Sequence, residues 1–179
     1  MLTIDNTVLF VVDVQESLMP LIHQKDELLK NLANMIKGAE ILEVPILWSE
    51  HAPEHIGKTI PQITKLLTSI KPIEKISFSC CGDANFMQAL GMLERKQILL
   101  CGIEAHICIY QTAMDLINLG YDVSVVADCV SSRTEKNKQI GLERIKELGG
   151  MLTSIEMALC ELLRIAEGEK FRKILEIIK

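Results

Sequence analysis

Val8-Leu-Phe-Val-Val12 is apolar at every position and rich in β-branched residues, and this run constrains the fold more than any other stretch of the chain. A strand with one face in water alternates apolar and polar residues, whereas a continuous apolar run needs cover on both faces, as in a parallel sheet between helical layers. The run ends at Asp13, and the same grammar recurs downstream. Leu28, Leu29, Leu32, Met35, Ile36 and Ala39 fall at helical spacing, predicting a helix over about 26–42. Val44-Pro-Ile-Leu-Trp48 reads as a second strand, with its Pro near the start where a missing N–H is tolerated. Residues 49–72 hold Pro53, Gly57, Pro61 and Pro72 and read as a long irregular connection with one short helix at 60–69.

A short third strand is predicted from Ile73 to Ser77, and Asp83 is placed to cap a helix running to Leu93. Gln97-Ile-Leu-Leu-Cys101 is the fourth strand, followed by Gly102 and a helix over about 105–119. Gly120 stops that helix, and a fifth strand covers 121–127. A helix over about 135–148, a short sixth strand at 151–153 and two closing helices near 155–166 and 169–178 complete the pattern. Such alternation predicts an α/β fold: a single-domain, doubly wound, Rossmann-like six-stranded parallel sheet with helices on both faces, over residues 1–179. Ligand sites in such sheets lie at the carboxyl ends of the strands.

Composition narrows the function. The chain has 179 residues, 49% hydrophobic, a net charge of −5 and only 4% aromatic residues. The charge balance provides no basic field for nucleic acid or an anionic membrane surface. Scarce aromatics remove the stacking platforms that single-stranded nucleic acid needs, and they favour a small substrate over a large planar one. No apolar stretch approaches the ~18 residues of a membrane span. The first residues run into a strand without a basic n-region, so the expectation is a cytoplasmic, reduced protein with no membrane partner. Its six cysteines, at 80, 81, 101, 108, 129 and 160, are then thiols rather than a disulfide framework.

No Gly-x-Gly-x-x-Gly turn, Walker loop or Gly-x-Ser-x-Gly elbow follows any strand, which disfavours a nucleotide cofactor and a serine nucleophile; no cofactor is expected. Strand ends point instead to Asp13, to the segment after Trp48, to Glu74-Lys75, and to Gly102-Ile-Glu-Ala-His-Ile-Cys108. Cys108 falls in the first turn of the predicted helix, where free N–H groups and the helix dipole favour a thiolate and can receive an oxyanion. It could equally be a small core residue. His106 lies two residues away, so the two side chains point to different faces, and a base must come from elsewhere, with Asp13 a candidate. His51 and His55 have the spacing of a metal pair on a helix, but Pro53 between them argues for a solvated loop at a pocket rim, and no metal is expected.

Asp13 after an apolar strand, Lys75 before Ile-Ser-Phe-Ser-Cys-Cys-Gly82, and Gly102-Ile-Glu-Ala-His-Ile-Cys-Ile-Tyr-Gln-Thr-Ala113 resemble the isochorismatase-like cysteine hydrolases, which include nicotinamidases and N-carbamoylsarcosine amidohydrolase. Val126-Ala-Asp-Cys-Val-Ser-Ser-Arg133 and Thr153 to Leu163 add to the likeness, which spans essentially the whole chain and is strongest to isochorismatase domain-containing proteins of unassigned substrate.

The resemblance implies a triad of Asp13, Lys75 and Cys108, a cis peptide between Ile103 and Glu104, and an oxyanion hole from the N–H groups of Glu104 and Cys108. It implies attack by Cys108 on a small amide-like carbonyl through a thioester, with Asp13 as base and acid and Lys75 as electrostatic support. Leu18, His51, Phe78 and Ile107 flank the triad in sequence and are expected to line the pocket. Cys101, Cys129 and Cys160 take structural roles, and Cys80-Cys81 packs under the pocket. Isochorismatases proper act on a vinyl ether and lack the cysteine, so Cys108 disfavours that substrate. Nicotinamidases carry an Asp-x-His…His metal site where this chain has Ser49-Glu-His51. Relatives commonly form homo-oligomers, with the C-terminal helix a possible surface. The competing expectation is a non-catalytic oligomeric scaffold that keeps the fold.

Overall fold

The computed structural model describes all 179 residues. Six strands, β1 (Thr7–Val12), β2 (Ile46–His51), β3 (Ile73–Lys75), β4 (Gln97–Ile103), β5 (Asp122–Ser131) and β6 (Met151–Thr153), form one sheet in the order β3-β2-β1-β4-β5-β6. Every pairing is parallel. The helices are α1 (Lys25–Ile41), the single turns α2 (Pro53–Ile56) and α3 (Pro61–Thr64), α4 (Ala84–Met92), α5 (Tyr110–Asn118), α6 (Glu135–Glu147), α7 (Ile155–Leu163) and α8 (Gly168–Ile178).

β1 is buried along its whole length, and its apolar run at 8–12 divides its side chains between two cores. Leu9 and Val11 join Leu32, Ile36 and Leu159 beneath α1 and α7. Val8, Phe10 and Val12 join Phe86, Leu116 and Ile145 beneath α4, α5 and α6. Period-two alternation thus feeds two apolar faces at once, the doubly wound arrangement that the sequence predicts.

Side-chain caps fix several helix starts. Asp83 accepts from the N–H groups of Asn85 and Phe86 at 2.9 and 3.1 Å. Thr134 caps α6 and Ser154 caps α7 in the same way.

The structure departs from the sequence expectation in several places, with the third strand ending at Lys75 and the fourth running on to Ile103. The second strand continues past Trp48 to His51, because Ser49, Glu50 and His51 pair with Ile73, Glu74 and Lys75 on the edge strand. The fifth strand runs on to Ser131, through a register break in which Leu100 pairs with Val125 but Gly102 with Val130. The Asp128 carboxylate inside that break accepts the Ile155 N–H at the start of α7 at 3.1 Å, which explains a polar residue within an apolar run. The 49–72 connection contains two single-turn helices rather than one longer one.

The sheet order reverses between β1 and β4, so chains leaving these two strands diverge to opposite sides and open a crevice. Asp13 leaves β1 there, and the segment carrying Cys108 leaves β4. Gly102 makes this junction possible. It has φ +116°, and a Cβ on it would lie 2.1 Å from the Val12 carbonyl oxygen. Gly102→Ala is expected to cost about 3 kcal/mol or more in urea unfolding, through a backbone collision in a left-handed conformation. Gly91→Ala, with nothing within 4 Å of the added carbon on α4, is expected to stabilise by about 0.5 kcal/mol.

Candidate active site

Asp13 has φ +53°, a left-handed turn that ends β1 in a conformation aspartate tolerates better than most residues. Its carboxylate is buried and takes the Lys75 ammonium on Oδ2 at 2.7 Å and the Ser49 hydroxyl on Oδ1 at 2.7 Å. Lys75 ends the edge strand, and its side chain reaches across the end of β2 to the residue after β1. Its Nζ also donates to the carbonyls of Ser77 at 3.1 Å and Phe78 at 3.2 Å, and it lies 3.9 Å from Cys108 Sγ. Three oxygens use the three ammonium protons, so the sulfur is held mainly by charge. The structure therefore brings Asp13, Lys75 and Cys108 into one buried cluster.

Burial by itself would lower the Lys75 pKa, but the neighbouring Asp13 carboxylate, with smaller contributions from Cys80 and Cys108, outweighs it and raises the value above the ordinary 10.5. Cys108 corrects the expectation of a thiolate favoured by a helix start. Burial pushes its thiol well up, Asp13 pushes it further, and Lys75 opposes both. The segment Ala105–Ile109 is a wide π-helical turn, not the first turn of a regular α-helix. Cys108 is only 7% exposed, and these effects together hold it as a thiol.

The Ile103–Glu104 peptide bond is cis. The Glu104 carboxylate is buried and accepts the Arg133 N–H at 2.9 Å and its Nε at 3.2 Å, tying the end of β4 to the end of β5. His106 turns away from Cys108 to bond Ser132 Oγ at 3.0 Å, as its spacing requires. Gly141 on α6 lets that helix approach this turn; a Cβ on it would sit 2.7 Å from the Ala105 carbonyl oxygen.

The four expected pocket residues are placed differently from one another. Phe78 touches the cluster through its carbonyl, and its half-exposed ring stacks on His51 at 5.4 Å between centroids. His51 is thus a strand residue under an aromatic ring, not part of a solvated loop. Ile107 packs with the core that contains Cys108. Leu18 packs on the opposite core, with α1.

No group of three or more His, Cys, Asp or Glu side chains is arranged so that it could hold a metal ion. The largest cavity, about 570 Å³, lies outside the edge strand between Glu54, His55, Glu74 and Asp83. Lys75 alone among the three clustered residues contributes to its wall, so volume and chemistry do not coincide, and the hydrogen-bonded cluster is the better guide to the site.

One residue of the cluster escapes sequence reasoning. Ser49 sits at the strand-end segment after Trp48, and its parallel pairing with Val12 puts it beside Asp13. Strand-end position is the only signal for Ser49. Cys80, expected to pack under the pocket, is buried behind it, with Sγ 3.7 Å from Ser49 Oγ.

The chain is thus a doubly wound parallel α/β sheet with an acid, a lysine and a cysteine gathered at its switch point. Residues 7–157 match the family model described as Isochorismatase domain, and the chain belongs to that family. It is 37% identical over 178 residues to the secreted isochorismatase effector Isc1 of Phytophthora sojae, covering 97% of this chain and 85% of that protein. The structure of a MAR1 ribonuclease from Caenorhabditis elegans superposes with TM-score 0.92 at 31% identity, covering 99% of this chain and 91% of that one. The YcaC product of Escherichia coli, described as an octameric hydrolase of unknown specificity, shares the fold with TM-score 0.93 at 20% identity, over 98% of this chain and 89% of that one. Family membership supports a hydrolase role.

Lys75→Met leaves a buried carboxylate without its cation and is expected to lose about 3–5 kcal/mol in urea unfolding at neutral pH. A lysine whose folded pKa exceeds its unfolded value contributes fully below the unfolded pKa and loses that contribution as pH rises through the folded one. The difference between wild type and Lys75→Met should therefore persist up to pH values near 10.5 and shrink only above them.

Proposed function

We propose that this protein is a cysteine hydrolase that cleaves an amide-like C–N bond of a small molecule through a thioester on Cys108. The observation that carries it is the buried contact set of Lys75 Nζ with Asp13 Oδ2 at 2.7 Å and with Cys108 Sγ at 3.9 Å. In the first half-reaction Asp13 takes the thiol proton, and Sγ forms a bond to the substrate carbonyl carbon. The oxyanion is received by the backbone N–H groups of Glu104 and Cys108. The C–N bond then breaks, the leaving amine takes the proton from Asp13, and a thioester remains. In the second, Asp13 takes a proton from water, the hydroxide attacks the thioester, and the acid product leaves as the proton returns to sulfur.

Charge favours a small uncharged substrate over nucleic acid. The net charge is −5, and the cavity beside the site presents Glu54, Glu74 and Asp83. A strand of phosphates would meet carboxylates there, so the ribonuclease named for the Caenorhabditis structure is not the favoured activity of this chain. The scaffold alternative has to explain why an ion pair that is costly to bury, next to a thiol, is kept in a chain that does no chemistry. No helix is long and apolar enough to cross a membrane. Assembly into a homo-oligomer, as in the octameric YcaC product, is part of the proposal; elution at the monomer volume in gel filtration would remove it.

A panel of small primary amides and carbamoyl compounds, read by ammonia release, should reveal a substrate. Cys108→Ala is expected to abolish turnover at an unchanged unfolding temperature, and Asp13→Asn to lower kcat by about 10²–10⁴-fold. A Cys108→Ala protein hydrolysing at the wild-type rate would falsify the thioester route.

A further inference from the structure

We infer that Ser49 is a positioning residue: its hydroxyl on Oδ1, opposite Lys75 on Oδ2, holds the Asp13 carboxylate in one rotation for proton exchange with Cys108. This deepens the thioester proposal and rests on Asp13 being its base.

A carboxylate has two chemically equivalent oxygens and turns freely unless something distinguishes them. Here Oδ1 takes the Ser49 hydroxyl at 2.7 Å and Oδ2 takes Lys75 at 2.7 Å. Asp13 and Ser49 are each 1% exposed, so water does not compete for either oxygen. The backbone locks the same pair together, because the Asp13 N–H donates to the Ser49 carbonyl at 3.2 Å.

The donor direction behind Ser49 follows from counting protons. A serine hydroxyl has a single proton, and Ser49 gives it to Asp13. The 3.7 Å contact between Cys80 Sγ and Ser49 Oγ must then carry the thiol proton of Cys80 toward serine. Burial, with the Asp13 carboxylate adding to it, pushes the Cys80 thiol up to about 12, so it keeps that proton. The backbone of Cys80 is pinned in turn, its N–H donating to Thr112 Oγ1 on α5 at 3.0 Å. Cys80, Ser49 and Asp13 thus form a one-way chain of donors ending on Oδ1. With Ser49 on Oδ1 and Lys75 on Oδ2, the carboxylate plane is fixed from both sides, and losing the serine frees it to turn about its bond to Cβ.

The test uses iodoacetamide, which needs no knowledge of the natural substrate. In that reaction Sγ forms a bond to the methylene carbon, iodide leaves with its electron pair, and the thiol proton passes to Asp13. The rate at Cys108 is followed by mass spectrometry of the full-length protein at pH 7, with the exposed Cys160 as internal reference. Ser49→Ala is expected to slow Cys108 alkylation about tenfold, and Ser49→Thr, which keeps the hydroxyl, to stay within about threefold of wild type. Asp13→Asn is slow by itself, and adding Ser49→Ala to it should change the rate by less than about twofold, because the serine acts only through the carboxylate.

Equal slowing in both backgrounds, or a Ser49→Ala protein that labels at the wild-type rate, overturns the positioning role while leaving the thioester route standing. Should Ser49→Ala fail to fold, a folded Ser49→Thr that loses tenfold overturns it as well. A wild-type Cys108 that labels no faster than Cys160 overturns both.

Discussion

The buried ion pair between Asp13 and Lys75 is the interaction around which the carboxyl ends of the strands are arranged. Both side chains are essentially inaccessible, at 1% and 0% exposure. Taking two charges out of water costs several kcal/mol for each ion, and the cost is recovered only where every remaining proton and lone pair finds a partner. That condition explains the local architecture. Lys75 spends its other two protons on the Ser77 and Phe78 carbonyls, and so fixes the path of the chain just after β3. Asp13 takes Ser49 on its second oxygen, so β2 contributes as well. The pair spans three adjacent strands, and the sheet order β3-β2-β1 is what brings the two residues within reach.

The same pair sets the chemistry of Cys108. A free thiolate beside a charged Asp13 would put two negative groups around one ammonium, and burial raises the cost further; the thiol therefore rests protonated. Transfer of its proton to Asp13 changes the balance without changing the total. The negative charge moves from one side of Lys75, at 2.7 Å, to the other, at 3.9 Å. In the proposed route no net charge enters the low-dielectric region, so a thiolate at Cys108 would escape the full penalty of burying an ion. A raised resting pKa is thus compatible with a reactive sulfur, provided that deprotonation is internal.

The layered fold was legible because residues 8–12 of β1 are apolar at every position and the helical stripes are regular. The strand-end rule alone pointed to Asp13, to Glu74-Lys75 and to the segment that carries Cys108. Within that set Lys75 was the weakest: a lysine on a short edge strand reads as solvated, and the family resemblance was needed to single it out, because its reach across β2 depends on strand order. Ser49 was obscured for a related reason. The polar triple Ser49-Glu50-His51 reads as the start of a loop, but pairing with the edge strand keeps it extended and turns the serine toward Asp13. The end of β5 was hidden by Asp128, a carboxylate in a strand whose role as a partner for the start of α7 is a long-range fact. The preference for thiolate at a helix start failed at Cys108 because a local dipole was outweighed by desolvation and by a charge from another strand.

What separates Cys108 from the other thiols is connectivity. Burial raises Cys80, Cys81, Cys101 and Cys129 too, so acidity alone nominates none of them. Cys101 donates weakly to a backbone carbonyl and has no ionic neighbour to stabilise a thiolate. Cys80 is in the same cluster, but Ser49 stands between its sulfur and Asp13, with a hydroxyl proton already pointed at the carboxylate. A proton leaving Cys80 would have to be relayed through that hydroxyl, in two transfers. Cys108 has the ammonium 3.9 Å from its sulfur. In the proposed route two buried thiols share one lysine and one carboxylate, and the serine set between Cys80 and Asp13 is what distinguishes them.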